Sequence, residues 1–126
     1  MRMVRGGVGC EDPLLRAAKD EVERSLGDPR LTPAVVADRV GVSTRYLHRL
    51  FSDAGPSFGR WLLLRRLERS RGDLCSPHLG HWTVAEVAWH NGFADPSYFA
   101  RVFKLHYGMT PSGLRAAGNV RVGQAA

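Results

Sequence analysis

The segment from Leu31 to Phe51, LTPAVVADRVGVSTRYLHRLF, is answered by Trp82 to Phe103, WTVAEVAWHNGFADPSYFARVF. Each copy has a Thr followed by an apolar stretch around an Ala, then a Gly, then a second stretch ending in R-x-F. Ala37, Gly41, Leu47, Arg49 and Phe51 correspond to Ala88, Gly92, Phe99, Arg101 and Phe103. The offset grows by one residue at the turn. A helix, a short Gly turn and a second helix form a unit that cannot bury its apolar face alone. A chain built from two such units is held to an all-helical fold.

The rest of the sequence fits that constraint. Asp12-Pro13 reads as an N-cap with proline in the first turn, opening a helix to Leu26 that Gly27-Asp28-Pro29 stops. Thr32-Pro33 repeats the start, and that short helix ends at Gly41. Ser43 caps a helix to about Ala54. Ser57 opens the longest segment, to Cys75, with Phe58, Trp61, Leu62, Leu64, Leu67 and Leu74 as its apolar residues and Arg65, Arg69 and Asp73 along a solvated side. Thr83 and Glu86 have capping-box spacing. Asp95-Pro96 opens a helix ending at Gly108, and Thr110-Pro111 opens a last one to about Ala117. The expected fold is all-α, with seven helices: two helix-turn-helix subdomains (residues 12–56 and 76–117) joined by a linker helix (57–75). A flexible lead (1–11) and a frayed tail (118–126) complete it.

Composition limits the function classes. A net charge of +6 with a pI near 10.1 suits a polyanionic partner. The charge is uneven: residues 1–30 are neutral, residues 31–75 carry eight Arg against four acids, and residues 76–117 are close to balance. Of the 18 basic residues, 16 are Arg, whose planar fork pairs bidentately with phosphate and with guanine, although a GC-rich genome would give the same bias. No apolar run approaches membrane-spanning length, and MRMVRGGVGC lacks the apolar core of a secretory signal. Two cysteines, Cys10 and Cys75, make no disulfide framework, so a reducing cytoplasm is the expected location. Cys75, His78 and His81, with His90 further on, are zinc-ligand types at a spacing that matches no standard finger, and they read as a surface loop. No metal and no cofactor are expected. No phosphate-binding Gly loop, H-E-x-x-H or nucleophile–base set is present, so the chain is not read as an enzyme.

From Leu31 to Arg115 the chain resembles the DNA-binding domain of the AraC/XylS family of bacterial transcription regulators. The resemblance is strongest in VAWHNGFADPSYFARVFKLHYGMTPSGLR, Val87 to Arg115. There an apolar-Ala pair, Gly-Phe, Asp, Ser-Tyr-Phe, Arg, Phe-Lys, Gly, Thr-Pro-Ser and a closing Arg follow in the family's order. It implies two helix-turn-helix subdomains whose second helices, 43–54 and 95–107, enter successive major grooves about 34 Å apart on one face of double-stranded DNA. It also implies promoter binding, usually with recruitment of RNA polymerase. The sequence departs from the pattern at Pro96, Ala100 and Gly113. Most members carry an upstream sensor domain, and this chain offers no segment for one. It is either a stand-alone member, binding as a monomer, or part of a longer protein in which an upstream domain could dimerise.

On the first reading helix Leu47, Leu50, Phe51 and Ala54 should face inward, leaving Arg45, His48, Arg49 and Ser52 outside. Arg45 and Arg49 are the expected base readers; His48 can donate to a base edge or reach a phosphate. On the second, Phe99, Val102 and Phe103 face inward, and Arg101 and Ser97 are the expected base readers. Lys104 either packs its stem or touches phosphate, Ser52 is assigned to phosphate, and Tyr46 and Tyr98 either bond a phosphate or pack. Thr32 and Thr83 cap their helices and could hold a phosphate at the helix start. Two other classes stay open: a protein-interaction module with the same helical layout, and a DNA-binding piece of a larger sensor or enzyme.

Overall fold

A computed structural model describes residues 11–125, with side chains to residue 118; the expected flexible lead, apart from Glu11, lies outside the described residues. Seven α-helices follow one another, with no strand among the described residues: α1 (Pro13–Arg24), α2 (Pro33–Val40), α3 (Thr44–Ala54), α4 (Phe58–Cys75), α5 (Val84–His90), α6 (Pro96–Tyr107) and α7 (Pro111–Ala125). A short 3-10 turn, Pro77–Leu79, interrupts the loop after α4.

The caps explain the helix starts. The side chains of Asp12, Thr32, Ser43 and Asp95 each accept from a backbone N–H in the first turn of the helix they precede, and proline occupies that turn in α1, α2 and α6. Ser57 Oγ accepts from Arg60 N at 3.2 Å and opens α4. At Thr83 the capping box is complete: Glu86 N donates to Thr83 Oγ1 at 3.0 Å, and Thr83 N donates to Glu86 Oε1 at 2.7 Å. Gly41 and Gly92 lie at φ 78° and 90°, a region open to Gly without a Cβ clash. Just beyond them Val42 N bonds Ala37 O at 3.0 Å and Phe93 N bonds Ala88 O at 2.9 Å, the same closure in both copies. The extra residue of the second copy falls between Gly92 and the cap Asp95. Each reading helix starts from its own cap, so the insertion leaves the helix phase unchanged.

The chain packs as two units. One runs to Leu26 and resumes at Arg30–Leu63; the other comprises Gly27–Pro29 and the chain from Leu64. In the first, Leu15, Ala18 and Val22 of α1 join Val36 and Ala37 of α2, Leu47, Leu50 and Phe51 of α3, and Phe58 and Leu62 of α4. Phe51 meets the Phe58 ring edge-on at 5.1 Å between centroids. In the second, Leu67 and Leu74 of α4, Val87 and Ala88 of α5, and Phe93, Phe99 and Phe103 are buried. Phe93, Phe99, Phe103 and Tyr107 form a continuous aromatic run at centroid spacings of 4.8, 5.4 and 4.7 Å.

Several expectations are corrected. Helix α1 stops at Arg24, with Ser25 as C-cap, two residues short of Leu26. Ala54 is exposed, because it is the last residue of α3 and no element of its unit covers that end. Asp73 is not on a solvated face: its carboxylate accepts from the buried Asn91. Helix α7 continues to Ala125 where the chain was expected to fray after Ala117. No proline follows Pro111, and Gly118 and Gly123 each cost a helix only about 1 kcal/mol relative to Ala, which weakens but does not end it.

Candidate nucleic-acid interface

The first reading helix, α3, divides cleanly. Leu47, Leu50 and Phe51 are buried, while Arg45, Tyr46, His48, Arg49 and Ser52 are exposed. The capping bond from Tyr46 N to Ser43 Oγ, 3.0 Å, sets where that exposed face begins. Arg45 and Arg49, one turn apart, have no ion-pair or ring partner among the described residues, so two forked donors stand side by side in solvent. His48 sits edge-on to Phe58 with centroids 6.4 Å apart, which ties its ring to the start of α4.

Much of the remaining arginine charge is structural. Arg39 donates to Ser25 Oγ at 3.0 Å, Arg65 pairs with Glu68, Arg66 donates to Asp28 O at 2.7 Å, and Arg71 lies over the Tyr107 ring at 5.2 Å. Burial pulls the Arg66 guanidinium below its usual pKa and pushes the Tyr107 phenol above its own. Among the arginines of residues 31–75, Arg45 and Arg49 on α3, with Arg60 and Arg69 on α4, have no side-chain partner among the described residues, and of these only Arg45 and Arg49 share the exposed face of α3.

The second reading helix, α6, has Phe99 and Phe103 buried and Val102 half-buried. Pro96, Ser97, Arg101 and Lys104 are exposed, and Ala100 is half-buried. Ser97 N donates to Asp95 Oδ1 at 2.9 Å, leaving its hydroxyl at the helix entrance. Arg101 is not loose: its guanidinium lies over the Tyr98 ring at 5.4 Å. The exposed apolar residues on this unit include Trp89 and Leu105, at 69% and 79%. Trp89 lines a groove of about 620 Å³ with Trp82, Ala85, Phe93 and Pro96.

The helix starts differ. At Thr32 the hydroxyl accepts from Val35 N at 3.2 Å and the first turn holds no acid. At Thr83 the capping box occupies the threonine N–H and brings the Glu86 carboxylate alongside, which opposes an anion. Cys75, His78, His81 and His90 form no group that could hold a metal ion among the described residues.

Sequence reasoning missed two groups. Asn91, fully buried at the turn after α5, donates from Nδ2 to Asp73 Oδ2 and to Val87 O, both at 2.9 Å. Arg115 donates to Trp82 O and, at 3.1 Å, to Leu79 O, holding the loop before α5. Asn91 stands where the first copy has Val40, a polar-for-apolar break in the repeat that could have flagged it.

Two helix-turn-helix units, each with a polar or basic outer face on its second helix, define a DNA-binding protein of the bipartite helical class. The model of the helix-turn-helix domain family matches residues 36–117, and the chain belongs to the AraC-type helix-turn-helix family of DNA-binding transcription regulators. The chain is similar to the transcriptional activator NphR of a Rhodococcus species, at 35% identity over 102 residues, which is 81% of this chain and 29% of that protein. The chain thus spans under a third of that relative's length. Among solved structures it is similar to an AraC-type transcriptional regulator from Chromobacterium violaceum, with TM-score 0.76 and 29% identity over 84% of this chain and 92% of that one. It is similar as well to the DNA-binding domain of AdpA, a global transcriptional factor solved with a target DNA, with TM-score 0.74 and 27% identity over 88% and 96% of the two chains. Family and fold are those of DNA-binding regulators and not of enzymes. No described helix is long and apolar enough to cross a membrane.

Proposed function

We propose that this chain is the promoter-binding part of a transcription activator, reading double-stranded DNA with α3 and α6 in major grooves. The observation that carries the reading is the pair Arg45 and Arg49, exposed on one face of α3 without a partner among the described residues. In this reading Arg45, Arg49 and Arg101 contact base edges, with His48 and Ser97 beside them. Thr32, Tyr46, Ser52 and Lys104 contact phosphate and set register. Thr83 has the weaker claim to a phosphate, because Glu86 stands at the same helix start. Activation is supported by the likeness to NphR, a transcriptional activator, and it makes RNA polymerase the protein partner, in the bacterial cytoplasm. Two readers in one chain let it bind as a monomer; an upstream domain would add dimerisation.

Binding-site selection from random duplex DNA, followed by salt titration, tests this. The expected result is a two-part site and, with roughly 6–8 phosphates contacted, a slope of log K against log salt of about −5 to −7. A flat salt response, or equal affinity for every duplex, overturns it.

A further inference from the structure

The two reading helices hold their arginines differently, and the copies also differ at the residue that stands behind the tyrosine. In the second unit, Phe93 follows Gly92, is buried, and packs on Phe99 at 4.8 Å between centroids. Tyr98 stands against Phe93 at 6.4 Å with its ring tilted 44°, and Arg101 lies over Tyr98 at 5.4 Å. A column therefore runs from the core to the tip of the reading face: Phe99, Phe93, Tyr98, Arg101. In the first unit Tyr46 and Arg49 occupy the places of Tyr98 and Arg101, but Val42 occupies the place of Phe93. No ring backs Tyr46 there, and among the described residues no cation lies over it. The two tyrosines are equally exposed, 41% and 39%, so exposure does not account for the difference.

We propose that Tyr98 is a positioning residue for Arg101: its ring, braced by Phe93, holds the guanidinium in orientation before DNA arrives and thereby sets how sharply the second half-site is read. The physical basis is twofold. A guanidinium over a phenol face is held by the ring quadrupole. An arginine already confined to one orientation loses less side-chain freedom when its fork closes on a guanine edge. The consequence is specific to α6, where Pro96 and Ala100 supply no long donor and Arg101 is the principal reader. The proposal rests on reading α6 as a base-contacting helix.

The test uses the full chain and the duplex returned by site selection, with the base pair that responds to Arg101→Ala taken as the Arg101 position. Affinities for that duplex and for the three alternative pairs at that position are measured for wild type, Tyr98→Leu, Tyr98→Phe, Arg101→Ala and the Tyr98→Leu/Arg101→Ala double variant, each checked by thermal melt. Tyr98→Leu is expected to reduce discrimination at the Arg101 position by about two- to five-fold, the range of an exposed cation–ring contact. Tyr98→Phe keeps the ring and should retain discrimination. Tyr98→Leu should add nothing at the Arg101 position once Arg101 is Ala. A uniform loss of affinity on all four sequences would make Tyr98 a backbone contact and overturn the proposal, as would equal loss in the Phe and Leu variants, or unchanged discrimination in Tyr98→Leu. If Tyr98→Leu fails to fold, a loss of discrimination in Tyr98→Phe still overturns it. Failure of wild type to select any two-part site would instead sink the functional reading beneath it.

Discussion

Asn91 Nδ2 lies 2.9 Å from Asp73 Oδ2, so the turn of the second helix-turn-helix is pinned to α4 by one buried amide. The same Nδ2 also reaches Val87 O, and the residue is fully buried. The contact joins positions 18 residues apart in sequence. Replacing Asn91 by Ala strands the Asp73 carboxylate in a half-buried setting and should destabilise by about 1–3 kcal/mol. Denaturant titration measures it; an unchanged midpoint would show that the bond contributes nothing.

Arg115 should act as a clamp on the loop before α5. It donates to the carbonyls of Trp82 and Leu79, and bonds from a charged donor are worth about 1.5–3 kcal/mol. Arg115→Ala should lose that amount. Arg115→Lys should recover only part of it, since an ammonium cannot span two carbonyls as a planar fork does. Full recovery in a thermal melt would refute the two-pronged geometry.

Two glycines should respond with opposite signs. A Cβ on Gly27 would stand 2.3 Å from the His90 carbonyl oxygen, so Gly27→Ala forces backbone apart and should cost about 1–3 kcal/mol. Gly72 lies inside α4 with nothing within 4 Å of such a Cβ, and Gly72→Ala should stabilise by about 1 kcal/mol. Melting temperatures of the two variants check both, and a shift of either in the other direction refutes its half.

Trp61 is half-buried, with Phe51 at 5.5 Å on one side and the Lys19 ammonium 5.5 Å from its ring. Trp61→Ala should therefore cost less than the roughly 3–5 kcal/mol lost when a fully buried Trp is truncated. A loss within or above that range, measured by denaturant unfolding, would mean that the ring is wholly enclosed.

Arg45→Ala and Arg49→Ala should each relax base preference in one half-site by about 1–3 kcal/mol while leaving the melt unchanged, because both side chains stand in solvent. Arg101→Ala should act at fewer positions in the other half. Site selection on each variant reads this directly; equal information content in the two halves would contradict it.

Local signals carried most of the fold. Thr32-Pro33, Ser43 and Asp95-Pro96 announce helix starts because a capping side chain needs only neighbours three residues away, and the structure has those caps. Helical phase gave the buried Leu47, Leu50 and Phe51 of α3 and Phe99 and Phe103 of α6, but not the exposed Ala54 or the half-buried Val102. What stayed hidden depends on distant parts of the chain. Asp73 has the spacing of a solvated residue, and only the approach of Asn91 makes it a partner. Arg66 has the composition of a nucleic-acid contact but spends its donor on Asp28 O. On the candidate site, the exposure of Arg45 and Arg49 was legible from periodicity alone. The stacking of Arg101 on Tyr98 was not, since Tyr46 and Arg49 share the same spacing without the contact.

The substitution of Phe93 for Val42 between the two copies has an outcome for orientation. A regulator whose two halves are identical and related by a two-fold axis fits its site equally well either way round. Here one half offers two loose arginines and the other a single stacked one, so if these are the base contacts proposed above, turning the protein end for end on the same DNA would set each against the wrong bases. Such a chain would carry left and right within itself, and would point along the promoter without a second copy to tell it which way transcription runs.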